Sequence, residues 1–221
     1  MNRELIDHTT AIQPFALTNV DDGSQDITIL NYIAQATFHV ADQLHRDPSS
    51  LALPATHIRE TPGGYAHRII INTRAPINQM TLPFVSFVSK KQADIIERVQ
   101  QDIADVDRAI VSGLARQSAL LSYSSFQLAE RDWYNLVLFS QASAKQDMLG
   151  VQLHQLAAYE LAPKYYQWIR LHHGTITRND AVTAITFQLT KYYRFHTSAK
   201  RPEIRFHAYQ PVDAIPEITA S

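Results

Sequence analysis

Apolar and polar positions along this chain follow two different periods, and these periods predict which segments form helices and which form strands. Over residues 30–44, apolar side chains recur every three or four positions, which predicts an amphipathic helix that ends before Pro48. The strongest helical period covers residues 96–114, with charged residues on the opposite side. A further helix is predicted over residues 144–161, because Leu residues recur at helical spacing and a proline follows.

Two of these helices carry the same start signal, a serine followed three residues later by a glutamine. Ser89 with Gln92, and Ser143 with Gln146, each come directly after an apolar β-like run. In such a pair the serine caps free backbone N–H groups and the glutamine reaches back to the cap. The doubled signal predicts two strand-to-helix units, and it places Lys90-Lys91 at the solvated start of the first helix.

Strands are predicted where β-branched and aromatic residues dominate or alternate with polar residues. The predicted strands cover residues 65–73, 81–89, 120–129, 133–140, 165–176, 182–196 and 204–209. The first two are expected to lie side by side, and the last two to form a terminal hairpin. The stretch 48–64 is rich in Pro, Ser, Thr and Gly, and is therefore predicted to be a connection without a strand.

The order of elements predicts the architecture. Residues 81–176 read strand, helix, strand, strand, helix, strand, which is the ferredoxin-like βαββαβ order. We therefore predict an α+β fold in which a four-stranded sheet carries two helices on one face, with an extra N-terminal helix and a C-terminal β-hairpin. Residues 1–24 are predicted to be an irregular leader, residues 25–210 a single domain, and residues 211–221 a flexible arm.

Composition removes several classes of function. Twenty basic and 21 acidic residues give a net charge of −1, so the chain has no strong positive electrostatic field that would favour binding to nucleic acid or to an anionic membrane. The chain has no cysteine, which excludes thiol catalysis and zinc sites that use sulfur. Glycine-rich phosphate-binding motifs are missing, which argues against nucleotide chemistry. The start has no secretory pattern and no run is apolar enough to span a bilayer, so a cytoplasmic protein is expected.

The sheet face without helices is expected to decide what the protein binds. Four residues with aromatic or titratable side chains alternate onto that face: Tyr166, Trp168, Arg170 and His172. Ile169 and Leu171 point the other way, toward the predicted helices. Arg170 suits a carboxylate or enolate, the two rings suit an aromatic group, and His172 suits proton transfer near neutral pH. The same four residues also suit a dimer interface or the inside of a small barrel.

A family resemblance adds to this pattern. The element order, the run Trp133–Phe139, His154 and the run Ala162–Arg170 resemble the dimeric α/β-barrel superfamily, which includes antibiotic-biosynthesis-type monooxygenases and haem-binding relatives. The resemblance covers residues 81–176. It implies that two sheets, from two chains or from two fused repeats, meet face to face around a ligand cavity, and we expect a homodimer.

The resemblance and the strand face together give the functional prediction. We expect a small-molecule enzyme acting on an aromatic or polyketide-like compound, either a monooxygenase without nucleotide cofactor or an isomerase or cyclase. The candidate catalytic residues are His172, Arg170 and His154. The candidate substrate-binding residues are Tyr166, Trp168, Asn135 and Trp133.

Two alternatives stay open at this point. No histidine pair has the spacing of a helical metal site, so neither a metal nor a cofactor is expected. However, if the terminal hairpin folds over the open face, it brings His196 and His207 close to His172, and such a group of histidines suits haem. The other alternative is a non-catalytic ligand-binding or assembly protein whose open sheet face is a dimer interface.

Overall fold

One antiparallel sheet organises the chain in its computed structural model, which describes residues 23–47, 52–61, 63–73, 77–114, 117–143, 160–179, 182–196 and 202–209. The helices are α1 (Ser24–Arg46), α2 (Glu97–Leu114) and α3 (Ala162–Tyr165). The strands are β1 (Ala55–Glu60), β2 (Ala66–Ile71), β3 (Thr81–Lys91), β4 (Leu120–Gln127), β5 (Asp132–Phe139), β6 (Tyr166–Asn179), β7 (Val182–Arg194) and β8 (Glu203–Ala208). Their order across the sheet is β1-β2-β4-β5-β3-β6-β7-β8, and every neighbouring pair is antiparallel.

The two faces of this sheet are covered by different helices. The apolar stripe of α1, which includes Ile29, Leu30 and Ile33, packs with residues of six strands in the largest apolar core. On the opposite face, Val111 of α2 packs on a smaller core that includes Tyr123 of β4. We call these the α1 face and the α2 face. The alternation of side chains along each strand decides which residues reach which helix.

The prediction of a ferredoxin-like βαββαβ sheet with two helices on one face was wrong. The sheet has eight strands, and α1 packs on the face that was predicted to be open. The helix predicted over residues 144–161 lies almost entirely outside the described residues, as do most of the predicted leader and the whole predicted arm. The difference comes from strands β1, β2, β7 and β8, which extend the sheet to eight strands, and from α1, which covers one of its faces.

Three local predictions also need correction. Residues 55–60 form the edge strand β1, although the surrounding Pro and Gly predicted a connection. Strand β2 pairs with β1 and β4 and not with β3, so the expected pairing of the first two predicted strands was wrong. Ser89 does not cap a helix, because β3 continues through it to Lys91 and α2 begins only at Glu97.

Close approach of two strands requires glycine at position 174. The register between β6 and β7 shifts at His173/Gly174, next to the α1 face. A Cβ atom at Gly174 would lie 2.0 Å from the backbone oxygen of Thr186 and 2.9 Å from the ring of Phe84. Because the first of these atoms belongs to the backbone, β7 itself would have to move.

We therefore expect Gly174→Ala to lower the free energy of unfolding by about 1–3 kcal/mol, as overpacking does in well-packed cores. Urea denaturation measures this change. The matched control is Gly113→Ala in α2, where an added Cβ meets nothing within 4 Å and alanine should stabilise the helix by up to about 1 kcal/mol. A Gly174→Ala protein as stable as Gly113→Ala would contradict the predicted clash.

Candidate functional site

A buried carboxylate joins α1 to the sheet. Asp26, in the first turn of α1, is completely buried, as are Arg170 and His172 of β6. One oxygen of Asp26 accepts hydrogen bonds from the Tyr134 hydroxyl at 3.0 Å and from Arg170 Nη2 at 2.9 Å. The other oxygen lies 2.7 Å from His172 Nε2. Both oxygens are thus occupied by protein groups, and a charge on Asp26 is balanced by Arg170.

The imidazole of His172 continues this network across the sheet. Its Nδ1 lies 2.8 Å from Thr190 Oγ1, which lies 3.2 Å from the Tyr209 hydroxyl, and its ring stacks on Phe187 with centroids 4.1 Å apart. Burial lowers the pKa of His172, although the hydrogen bond to Asp26 acts in the opposite direction. We therefore assign a neutral ring that donates from Nε2 to Asp26 and accepts at Nδ1 from Thr190. We call Asp26, Tyr134, Arg170, His172 and Thr190 the Asp26 cluster.

Three of the predicted site residues thus lie inside the protein. Arg170, His172 and Trp168 share the α1 face, as their alternation predicted, and the Arg170 guanidinium carbon lies 5.2 Å from the centroid of the Trp168 ring. However, α1 covers them, so the prediction that they line an open face was wrong. Asp26 was missed as their partner, and its only signal was an acidic residue at the start of the first predicted helix.

Tyr166 does not belong to this set, because a β-bulge turns it to the other face. The pairing of β3 with β6 shifts at Lys90/Lys91, so that Lys91 pairs with Tyr166 and Gln167 has no opposite residue. Tyr166 then packs against Phe87, with ring centroids 5.3 Å apart, in a satellite core on the α2 face. The strict alternation used in the sequence prediction fails at this one residue.

A second set of polar residues occupies adjoining positions on the α2 face. Ser89 of β3 is directly opposite Trp133 of β5, while Asn135 is two residues from Trp133 and Lys91 two residues from Ser89. The side-chain atoms Ser89 Oγ, Trp133 Nε1 and Asn135 Oδ1 are buried, and none has a hydrogen-bond partner among the described residues. We call Ser89, Lys91, Trp133 and Asn135 the Lys91 cluster.

The amine of Lys91 lies between aromatic rings. Its Nζ is 4.5 Å from the centroid of the Trp133 ring and 5.3 Å from that of Tyr165. Burial lowers the pKa of Lys91. The neighbouring Lys90 points to the α1 face and pairs with Asp132 at 3.2 Å. Two consecutive lysines, both predicted to be solvated, thus have different environments.

The position of the Tyr165 ring depends on contacts made by Gln92. The Gln92 side chain donates hydrogen bonds to the backbone oxygens of Pro163 at 3.0 Å and Tyr166 at 3.3 Å, and its backbone N–H donates to Tyr165. These contacts hold α3 against the end of β3 and bring Tyr165 over Lys91. Gln92 therefore anchors a neighbouring segment instead of closing a helix cap.

The acidic residue Asp107 of α2 has its own partners. Asp107 pairs with Arg68 at 2.9 Å, and the Tyr123 hydroxyl lies 3.4 Å from the Asp107 carboxylate. Burial, followed by the Asp107 charge, raises the pKa of Tyr123, so this phenol is a hydrogen-bond donor and not a base. Among the described residues, no carboxylate forms an ion pair with Lys91.

The remaining predicted residues are three histidines, His154, His196 and His207. His154 lies outside the described residues. His196 is 3.8 Å from Glu203, and the ring of His207 packs on Tyr209, so neither joins His172 in a pocket. In the described part of the chain, no three His, Asp or Glu side chains are placed to hold one metal ion.

Comparison of the chain with protein-family models, with curated proteins and with solved structures gives no match. The resemblance to dimeric α/β-barrel proteins therefore stays a prediction from residues and element order. Within the described ranges, no helix is both long and apolar enough to cross a membrane. The chemistry of the two clusters is therefore the basis for inferring function.

Removing the charge of Asp26 should strongly destabilise the fold. Asp26→Asn leaves Arg170 buried without its counterion, and breaking a buried pair in this way costs about 3–5 kcal/mol. The control is Asp42→Asn on the same helix, whose partly exposed pair with Arg178 should contribute less than about 1 kcal/mol. Urea denaturation of both variants compares the two losses. Equal losses would contradict the anchoring role of Asp26.

A second buried histidine predicts a dependence of stability on pH. His67 packs against the rings of Tyr32 and Phe126, and both its ring nitrogens are without a hydrogen-bond partner in the described structure. Burial, followed by the charges of Arg59 and His57, lowers the pKa of His67 to about 4. The unfolded chain, with a histidine pKa near 6.5, therefore binds a proton more readily than the folded protein.

Stability should accordingly fall as the pH drops from about 6.5 to about 4, by on the order of 3 kcal/mol from His67 alone. His67→Phe fits the same aromatic surroundings and removes the titrating group. The difference in unfolding free energy between the two proteins, measured by urea denaturation across this range, isolates the contribution of His67. Parallel pH curves would show that His67 titrates normally in the folded state.

Proposed function

We propose that the protein binds a small aromatic compound carrying a carboxylate or carbonyl group, and that the Lys91 cluster is its binding site. The observation that carries this proposal is the set of three buried polar atoms without partners, on adjoining residues of β3 and β5, next to a half-buried amine. This is the ligand-binding alternative from the sequence prediction, with the site moved to the α2 face.

Buried polar atoms without partners are unfavourable, which is why they point to a ligand. Leaving a buried donor or acceptor unsatisfied costs about 1–3 kcal/mol. A compound that supplies the missing partners recovers this energy on binding. By contrast, the Asp26 cluster already satisfies its carboxylate within the protein, and its carboxylate and imidazole offer no vacant position to a ligand.

The groups of the Lys91 cluster differ in what they can bind. The Trp133 indole only donates, the Ser89 hydroxyl donates or accepts, and the Asn135 oxygen accepts. The Lys91 ammonium favours an anionic oxygen, and the Trp133 and Tyr165 rings offer stacking surfaces. The proposed ligand is therefore an aromatic ring with two polar groups. A carboxylate or carbonyl oxygen bonds to Ser89 and Trp133, and a further donor on the ring bonds to Asn135.

This proposal divides the predicted site residues into two roles. Trp133, Asn135 and the neighbouring Tyr166 keep the substrate-binding role that the sequence predicted for them. Arg170 and His172 take a structural role instead, because they hold α1 through Asp26. In this proposal a ligand therefore reaches the α2 face while α1 stays in place.

The two tryptophans allow a direct test by NMR. In uniformly 15N-labelled protein, benzoate and acetophenone should shift the indole N–H signal of Trp133 and leave that of Trp168, buried beneath α1, unchanged. Lys91→Met should weaken benzoate binding about tenfold, since a hydrogen bond to a charged group contributes about 1.5–3 kcal/mol. Trp133→Phe assigns the two signals.

Lys90→Met is the matched control, because Lys90 lies on the opposite face and pairs with Asp132. It should bind benzoate as the unaltered protein does. The proposal is wrong if neither probe gives a saturable shift of the Trp133 signal. It is equally wrong if Lys90→Met and Lys91→Met reduce the affinity by the same factor.

A further inference from the structure

We propose that Lys91 is a reactive amine, which condenses with the carbonyl carbon of an aromatic aldehyde or ketone bound at the Lys91 cluster and forms an imine. This inference rests on the proposed binding function and narrows its ligand to a carbonyl compound. It assigns Lys91 a covalent role and gives Ser89 and Trp133 the task of binding the carbonyl oxygen.

The first argument is the contrast between two adjacent lysines. Lys90 pairs with Asp132, so a counterion holds its amine in the charged form. Lys91 contacts the rings of Trp133 and Tyr165, and no carboxylate of the described residues pairs with it. An amine needs an unprotonated nitrogen to attack a carbonyl. The two ring faces attract the ammonium form, whereas desolvation without a carboxylate counterion favours the neutral amine.

The second argument concerns the oxygen of the bound carbonyl. When the amine attacks, negative charge develops on this oxygen, and a nearby donor stabilises it. Ser89 lies two residues before Lys91 on the same face of β3, and Trp133 lies directly opposite Ser89. The Ser89 hydroxyl and the Trp133 N–H are both buried and have no other partner in the described structure. These two donors suit a carbonyl oxygen beside Lys91.

The third argument is the apolar wall of the site. The rings of Trp133 and Tyr165 flank the amine, and the ring of Tyr166 packs on that of Tyr165 with centroids 4.8 Å apart. Flat surfaces of this kind favour an aromatic group over an aliphatic one. They also reduce the access of water to the half-buried nitrogen, which slows hydrolysis of an imine once it has formed.

The reaction balances without a further reagent. The Lys91 nitrogen forms a bond to the carbonyl carbon, the C=O π electrons move to oxygen, and a proton passes from nitrogen to oxygen to give a carbinolamine. The oxygen then leaves as water after taking a second proton from solvent. The nitrogen lone pair forms the C=N bond of a protonated imine, which then releases its N–H proton to solvent and becomes the neutral imine. Nothing is oxidised or reduced, and the products are the imine and water.

Reductive trapping tests the proposal. The full-length protein is incubated at pH 7 with 4-formylbenzoate and sodium cyanoborohydride, which converts an imine into a stable secondary amine. Peptide mapping by mass spectrometry then gives the rate of labelling at each lysine. We expect Lys91 to be labelled at least tenfold faster than Lys90, and this preference should disappear when the protein is unfolded in urea. Equal rates at the two lysines in the folded protein would overturn the inference.

Two further measurements separate this inference from the proposed binding function. 4-(Hydroxymethyl)benzoate has no carbonyl carbon to attack, so it should shift the Trp133 indole signal without giving an adduct. Lys91→Arg keeps the charge and should still bind this alcohol, but it should give no fast adduct with the aldehyde. A Trp133 shift with unselective labelling refutes only the imine, whereas no shift and no selective labelling refutes both proposals. Circular dichroism melting curves check that Lys91→Arg is folded.

Discussion

The carboxylate of Asp26 is the contact on which the arrangement of both faces depends. It lies in the first turn of α1 and accepts hydrogen bonds from β5 and β6 in a place that water does not reach. Desolvating a carboxylate and a guanidinium is expensive, and it is balanced only because the hydrogen bonds around them are made within the protein. With α1 fixed in this way, the α1 face of the sheet becomes the largest core, and the ligand site that we propose lies on the α2 face.

Both faces contain buried polar groups, and the Asp26 cluster and the Lys91 cluster differ in whether those groups bond to other protein groups. On the α1 face, Asp26, Arg170 and His172 form a charge-balanced network in which each side chain bonds to another. On the α2 face, Ser89 and Trp133 end in buried atoms without partners. A completed network specifies one packing arrangement, whereas the unpartnered atoms of Ser89 and Trp133 are the ones for which we propose a ligand.

Local pattern was sufficient for most elements, while their arrangement depended on contacts between distant residues. The apolar spacing that predicted α1, α2 and most strands involves residues three or four positions apart in a helix and two positions apart in a strand. These are also the residues that are buried together on one side of each element. Asp26, by contrast, is 108 residues from Tyr134 and 146 from His172. No periodicity encodes such a contact. The open face was therefore wrongly predicted even though the alternation of Trp168, Arg170 and His172 along β6 was correctly predicted.

At the end of β3, strand pairing between distant residues again overrides a local sequence signal. Ser89 and Gln92 have the spacing of a helix cap, but Ser89 pairs in the sheet on both sides, with Trp133 of β5 and Ile169 of β6. Two ladders satisfy more backbone groups than one cap, so the strand continues past the serine. This extension moves Lys91 from a solvated helix start to a position between two aromatic rings. The chemistry of that lysine is therefore set by strand pairing, which is why its local sequence predicted only a surface charge.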